Sequence, residues 1–179
     1  MSEPRATAVL RPREAGDLPR CAAVLRAVHK ADGYPRNWPA DPAAWLATAG
    51  QCAALVAVLD GEIVGHAALT PGTARDTAAA RWAARTGRDA AETAEVGRLF
   101  VAPTARGLGL GARLLAAAGA AAHERGLHPV LCVRDGDRAA VALYRRAGWT
   151  DTGTAREDWP DGPVTLRCFA GPARADEPA

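Results

Sequence analysis

Lysine is almost missing from this chain. Lys30 is the only one, so 21 of the 22 basic residues are arginine. Together with the many Ala, Gly and Pro, this reads as the codon bias of a GC-rich genome more than as a functional signal. Charge of one sign is also lacking: the net charge of +2 offers no bulk attraction for nucleic acid. No CxxC is present, and no histidine stands at zinc-ligand spacing from Cys21, Cys52, Cys132 or Cys168. That argues against a structural metal. Each cysteine lies in an apolar run and reads as a buried free thiol. No stretch approaches the roughly 20 apolar residues of a membrane span. Met1–Ala8 carries charges and has no apolar run, so it does not read as a secretory leader. These absences lead us to expect a cytoplasmic protein with no membrane partner. No repeat, linker or low-complexity segment divides the 179 residues, and we expect one domain over residues 1–171 with a loose tail at 172–179. The 49% hydrophobic and 23% charged content is that of an ordinary globular domain.

Periodicity supplies the elements. Thr7–Arg11 reads as a first strand. Leu18, Cys21, Val24, Leu25 and Val28 recur at helical spacing, predicting an amphipathic helix from Glu14 to about His29. Tyr34, Pro35, Trp38, Pro39 and Pro42 then interrupt regular structure. Asp41 is placed to cap a short second helix, with Pro42 in its first turn and Trp45 and Leu46 on it. Ala53–Leu59 and Glu62–Leu69 form a hairpin across Asp60-Gly61. Ala74–Thr93, rich in Ala and Arg and centred on Trp82, reads as one or two short surface helices. Glu95–Val101 is the next strand, Gly109–Glu124 a long helix, Pro129–Val133 a buried strand and Asp137–Arg146 a helix. Trp149–Arg156 and Val164–Phe169 make a last hairpin. Antiparallel strands come first, then a strand–helix–strand crossover, then a hairpin. That order describes an α+β domain (α/β, three-layer) whose mixed sheet of about seven strands is mostly antiparallel, with helices on both faces.

The strongest local signal is the run Glu95-Val96-Gly97-Arg98-Leu99-Phe100-Val101-Ala102-Pro103-Thr104-Ala105-Arg106-Gly107-Leu108-Gly109-Leu110-Gly111. A strand enters a short loop, and the loop opens a helix. Gly107, Gly109 and Gly111 remove side chains where a ligand must approach the backbone. Free N–H groups at a helix start suit phosphate oxygens, and Arg106 and Arg113 add positive charge. The expected ligand is a pyrophosphate. A P-loop needs a Gly-Lys pair, which is not present. A dinucleotide fold places its glycines tightly after the strand and an acid at the end of the next strand. Here five residues separate Val101 from Gly107, and Val133 leads to Arg134. A glycine-rich helix start without a ligand is the remaining alternative, and three alternate glycines make it entropically costly.

Arg106-Gly107-Leu108-Gly109-Leu110-Gly111 resembles the Q/R-x-x-G-x-G/A element of the GNAT superfamily of N-acetyltransferases. The preceding strand, Arg98-Leu99-Phe100-Val101, and Pro103 fit as well. Asp137-Arg138-Ala139-Ala140-Val141-Ala142-Leu143-Tyr144-Arg145-Arg146-Ala147-Gly148-Trp149 is similar to the family's N-x-x-A-x-x-L-Y-x-x-x-G-F/W segment. The element order fits from Thr7 to about Phe169. The region before Ala53 and the last two strands match in pattern only. The resemblance implies transfer of an acetyl group from acetyl-CoA directly to an amine of a small molecule or peptide, without an acyl-enzyme. It implies that Leu99, Phe100 and Val101 bond the pantetheine arm through backbone groups, where the fourth and fifth strands splay. It also implies that Arg106 to Gly111 (with Leu108 and Leu110) and Arg113 hold the diphosphate. Asp137 stands where the family often has Asn; it can accept from a pantetheine amide but not donate.

Direct attack needs orientation, a base, charge stabilisation at the thioester oxygen and a proton for the thiolate. Backbone N–H groups at Leu99–Val101 are the candidates for the oxyanion and Tyr144 for the acid. A core tyrosine on an amphipathic helix is the plainer reading of Tyr144. The resemblance makes Glu95 the candidate base: it heads the strand expected to hold the thioester, and many relatives carry a glutamate near this point that works through water, where burial would raise its pKa towards neutrality; a surface glutamate beside Glu92 is its alternative. Asp32 and His29 are weaker candidates. Tyr34, Trp38 and Asp32, with Trp45, form the candidate acceptor surface, and a small core under a proline-rich loop is the competing reading. Trp82 and Trp159 are candidates to close that cleft or to support a dimer; homodimers are common in the family, though no residue here shows one. Two other functions compete: a noncatalytic acyl-CoA sensor of the same fold, and transfer of a longer acyl chain, against which bulky Phe100 weighs.

Overall fold

The computed structural model describes residues 7–174. Expectations for the first residues and for the tail fall largely on 1–6 and 175–179, outside the described residues. The chain runs β1 (Val9–Pro12), α1 (Leu18–Asp32), α2 (Pro42–Leu46), β2 (Ala53–Leu59), β3 (Glu62–Pro71), α3 (Thr77–Thr86), β4 (Thr93–Val101), α4 (Leu110–Glu124), β5 (His128–Arg134), α5 (Arg138–Arg146), β6 (Thr150–Trp159) and β7 (Gly162–Ala170). The seven strands make one mixed sheet in the order β1-β2-β3-β4-β5-β7-β6. The β4–β5 pair is parallel, with Thr93 opposite His128 and Glu95 opposite Val130. β1–β2, β5–β7 and β6–β7 are antiparallel. Asp60 (φ 51°) and Gly61 (φ 81°) turn the β2–β3 hairpin with two left-handed residues, the geometry that matches strand twist. The chain groups into two compact units, Met1–Ala68 with Arg98–Ala118, and Leu69–Gly97 with Gly119–Ala179.

In the first unit, Cys21, Leu25 and Val28 of α1 pack with Leu46, Val56, Ile63 and Phe100. Each large apolar side chain buried this way contributes about 1.5–3 kcal/mol. The Asp17 carboxylate accepts from the Glu14 N–H (2.7 Å) and from Arg11 (2.7 Å), which fixes the entry to α1. Asp41 caps α2 through the Ala44 N–H. Leu110, Leu114, Leu115 and Ala118 are the buried stripe of α4. Gly65 lets that helix approach β3: a Cβ there would stand 2.9 Å from Leu114 Cδ1.

In the second unit, two expectations are corrected. Trp82 does not lie on a surface helix, and it is not free to close over a cleft. It is 3% exposed, packs with Ala78, Val130 and Ala170, and stacks on His128 at 5.1 Å. The apolar face of α3 is thereby spent on the core. The cysteines also differ: Cys132 and Cys168 form a disulfide. They are direct cross-strand partners of β5 and β7, a pairing between segments far apart in sequence that spacing does not reveal. Cys21 is a buried thiol and Cys52 a half-buried one, neither in a disulfide.

Candidate active site

The loop between β4 and α4 begins with a turn of 3-10 helix at Pro103–Ala105, whose Ala105 N–H bonds the Ala102 carbonyl at 2.9 Å. Gly107 (φ 79°) and Gly109 (φ 73°) are both left-handed, and a Cβ built on either meets open space. The first bond of α4 runs from the Arg113 N–H to the Gly109 carbonyl, 3.1 Å. The N–H groups of the turn before it have no partner inside the helix. Backbone donors, the positive end of a helix of 15 residues and uncovered glycines therefore coincide, and a diphosphate fits such a cradle. Gly111 lies within the first turn of α4 rather than in the loop. Leu108 is 55% exposed.

The two arginines of the loop have partners of their own. Arg106 pairs with Asp32 at the end of α1, Nη1 to Oδ1 at 3.2 Å and Nη2 to Oδ2. Both side chains are exposed to about the same degree, 45% and 42%. The coenzyme candidate and the acceptor candidate thus meet each other. Arg113 reaches back to the Ala8 carbonyl at 2.8 Å.

β4 carries an irregularity just before the loop. The Thr93 carbonyl accepts from Gly72 (2.8 Å) and the Ala102 N–H donates to Val64 (2.7 Å). Both therefore face β3. Positions of opposite parity in a regular strand face opposite edges, so one extra residue lies between them, a bulge. Arg98, at φ 50°, marks it. Its side chain is tied down: Nε donates to the Trp45 carbonyl and Nη2 to Thr48 Oγ1, both at 2.6 Å. The guanidinium also lies 4.7 Å from the Trp45 ring centroid. Its carbonyl is 2.9 Å from His66 Nδ1. Beyond the bulge, Ala102 and Phe100 turn their backbone groups to β3, while Leu99 and Val101 turn theirs to the other edge. The Phe100 ring belongs to the core, stacked on His66 at 5.3 Å and 6.5 Å from Tyr34. Only its backbone is left for a ligand.

The aromatic segment after α1 is part core and part surface. Tyr34, Trp38 and Trp45 are partly buried against the α1 cluster. Burial pushes the Tyr34 hydroxyl up to about 12. Tyr34 meets Trp45 edge-on at 6.3 Å, and Arg26 lies over Trp38. His29 Nδ1 is bonded to the Pro35 carbonyl at 2.8 Å, which commits one of its nitrogens.

In the second unit, Glu95 is half-buried opposite Val130. Tyr144, on α5, is 8% exposed and packs on Phe169 (5.4 Å) and Trp149 (6.3 Å). The Asp137 carboxylate caps α5 by accepting from the Ala140 N–H at 3.1 Å, so one of its oxygens is already used. Trp159 donates to Glu157 at 2.9 Å. Among the described residues, no cluster of three or more His, Cys, Asp or Glu could hold a metal, and no helix is long and apolar enough to cross a membrane.

The sequence reading passed over Arg98, His66 and Arg13. Two signals were available: Gly97 inside a strand pattern, which marks bulges, and a lone histidine in the apolar run Val64–Leu69.

The acetyltransferase (GNAT) family model matches residues 22–149. The chain belongs to this family. It is an acyltransferase by that membership. Among solved structures, a ribosomal-protein-alanine N-acetyltransferase from Brucella melitensis is 26% identical, with a TM-score of 0.69 over 90% of this chain and 98% of that one. The ribosomal-protein-S18-alanine N-acetyltransferase from Escherichia coli is 18% identical, with a TM-score of 0.66 over 97% and 100%. YncA from Salmonella typhimurium, solved with its cofactor acetyl-CoA, is 22% identical, with a TM-score of 0.64 over 96% and 98%. At 18% and 22% identity the shared property is the fold. No curated protein sequence matches the chain.

Proposed function

We propose that this GNAT protein transfers an acetyl group from acetyl-CoA directly to an amine of a small molecule or peptide. The observation that carries the reading is the cradle at Gly107–Leu110, two left-handed glycines with open space above them at the start of a long helix. Arg106 and Arg113 supply charge for the diphosphate, and Leu99 and Val101 supply backbone bonds for the pantetheine. The thioester is the chemical input. The amine nitrogen bonds the acetyl carbon as the carbon–sulfur bond breaks. Glu95 accepts the ammonium proton, the Leu99 N–H faces the charge gathering on the carbonyl oxygen, and the Tyr144 hydroxyl gives its proton to the departing sulfur. Tyr34, Trp38 and Asp32 border the acceptor.

The domain is one unit of function over residues 1–171, and a homodimer agrees with the family's habit. The cytoplasm is the compartment in which acetyl-CoA is supplied; the Cys132–Cys168 disulfide pulls the other way, since reducing compartments disfavour such bonds. Two of the solved relatives act, by their names, on ribosomal-protein alanine, which favours a peptide N-terminus in the first acceptor panel. Thiol release from acetyl-CoA over peptides, polyamines and amino acids tests the reading. Release with an acceptor supports it. Binding of acetyl-CoA with no release on any acceptor favours the sensor, and no binding at all overturns both.

A further inference from the structure

His66 is fully buried on β3, and no step above uses it. Its ring stacks on Phe100 with 18° between the planes. Nε2 lies 3.0 Å from Arg13 Nη1. A guanidinium has donors only, so Nε2 must present its lone pair there, and the single ring proton sits on Nδ1. Nδ1–H then donates to the Arg98 carbonyl at 2.9 Å. Arg13 is itself anchored, by the Leu46 carbonyl at 2.7 Å and Gln51 Oε1 at 3.2 Å. Burial, with Arg13 and Arg98 nearby, lowers the imidazole pKa to about 4, so the ring stays neutral in ordinary buffers.

The acceptor of this bond is the carbonyl of the bulged, left-handed residue of β4. A non-glycine residue in that conformation is strained and persists only where its surroundings hold it. Here the side chain is held by Trp45 and Thr48 and the carbonyl by His66. In a planar trans peptide the carbonyl and the next N–H project oppositely. A carbonyl fixed toward the imidazole therefore turns the Leu99 N–H away from it, to the edge of β4 that does not face β3.

We infer that His66 is a positioning residue: through the Arg98 carbonyl it fixes the peptide plane whose Leu99 N–H polarises the thioester, and Arg13 enforces the tautomer that allows this. The inference rests on the acetyl-CoA reading above, and the experiment separates the two. Acetyl-CoA labelled with 13C at the acetyl carbonyl is bound to the full chain, with binding followed by calorimetry and the carbonyl stretch by difference infrared spectroscopy. Wild type lowers the stretch relative to free acetyl-CoA. His66→Phe keeps the stacked ring but has no donor; it binds and loses that shift. His66→Asn places an N–H near the former Nδ1 and regains it. On an accepted amine, His66→Phe lowers kcat on the order of a hundred-fold while the acetyl-CoA KM stays within about two-fold. A wild-type shift in bound His66→Phe, or equal loss in Phe and Asn variants, overturns the role. Imidazole 15N shifts of the wild-type protein test it without any variant: a ring protonated on Nε2 overturns it. Failure of acetyl-CoA to bind wild type overturns the functional reading instead.

Discussion

The buried imidazole has a consequence for stability that can be measured without any substrate. His66 ionises near 4 in the folded protein against 6.5 as the ordinary value. Above 6.5 both states are neutral and the contribution is complete. As pH falls from 6.5 towards 4, the unfolded chain takes up a proton that the folded protein, with Arg13 and Arg98 beside the ring, refuses. About 3 kcal/mol is lost across that window. Unfolding free energies from urea titrations at pH 7 and pH 4.5 should differ less in His66→Phe than in wild type, by about 2 kcal/mol. At the other end of the chemistry, Tyr144→Phe should lower turnover by about 10²-fold with little change in acetyl-CoA affinity; unchanged turnover would leave Tyr144 as the core residue that its packing on Phe169 also describes. Glu95→Gln should flatten the acid limb of the pH–turnover profile, and an unaltered limb would release Glu95 from its role as base.

At the scale of elements, the proposed function expects substitution at the helix start to act most sharply on coenzyme binding. Gly109→Asp puts a side chain at φ 73° and a negative charge among the donors proposed for phosphate; calorimetry with coenzyme A should then register no binding. Gly65→Ala acts on packing instead, because its Cβ would crowd the buried Leu114 at 2.9 Å and Ala57 and the Phe100 carbonyl at 3.3 Å. A cost of about 1–3 kcal/mol follows, visible as a lower Tm. These elements were legible in advance for a reason. α1 advertises its face through Leu18, Cys21, Leu25 and Val28, and Asp60-Gly61 can hardly be read except as a hairpin turn. α3 was misplaced on the surface because Ala78, Ala79 and Trp82 form too sparse a stripe to reveal a buried face. The left-handed glycines ahead of α4 were readable because their pattern is local. The Arg13–His66–Arg98 chain was not, since its members are 53 and 32 residues apart and only strand pairing joins them.

For the whole molecule, the Cys132–Cys168 bond is a covalent tie between two strands distant in sequence. It closes a loop of 36 residues, worth about 4 kcal/mol in the chain-entropy account. Reductant should lower Tm by roughly 10 °C; an unchanged melt would mean that the thiols are already apart in solution. The contact between Arg106 and Asp32 reaches furthest into how the molecule works. An exposed pair of this kind holds with no more than about 1 kcal/mol, so a diphosphate bound as proposed would take the guanidinium with ease. The carboxylate is then left without its cation just as an ammonium-bearing guest needs one. Each guest that breaks the pair frees the other's partner, so acetyl-CoA and an ammonium-bearing amine should each tighten the other's binding by up to about five-fold, and Asp32→Asn should remove that coupling in initial-velocity kinetics.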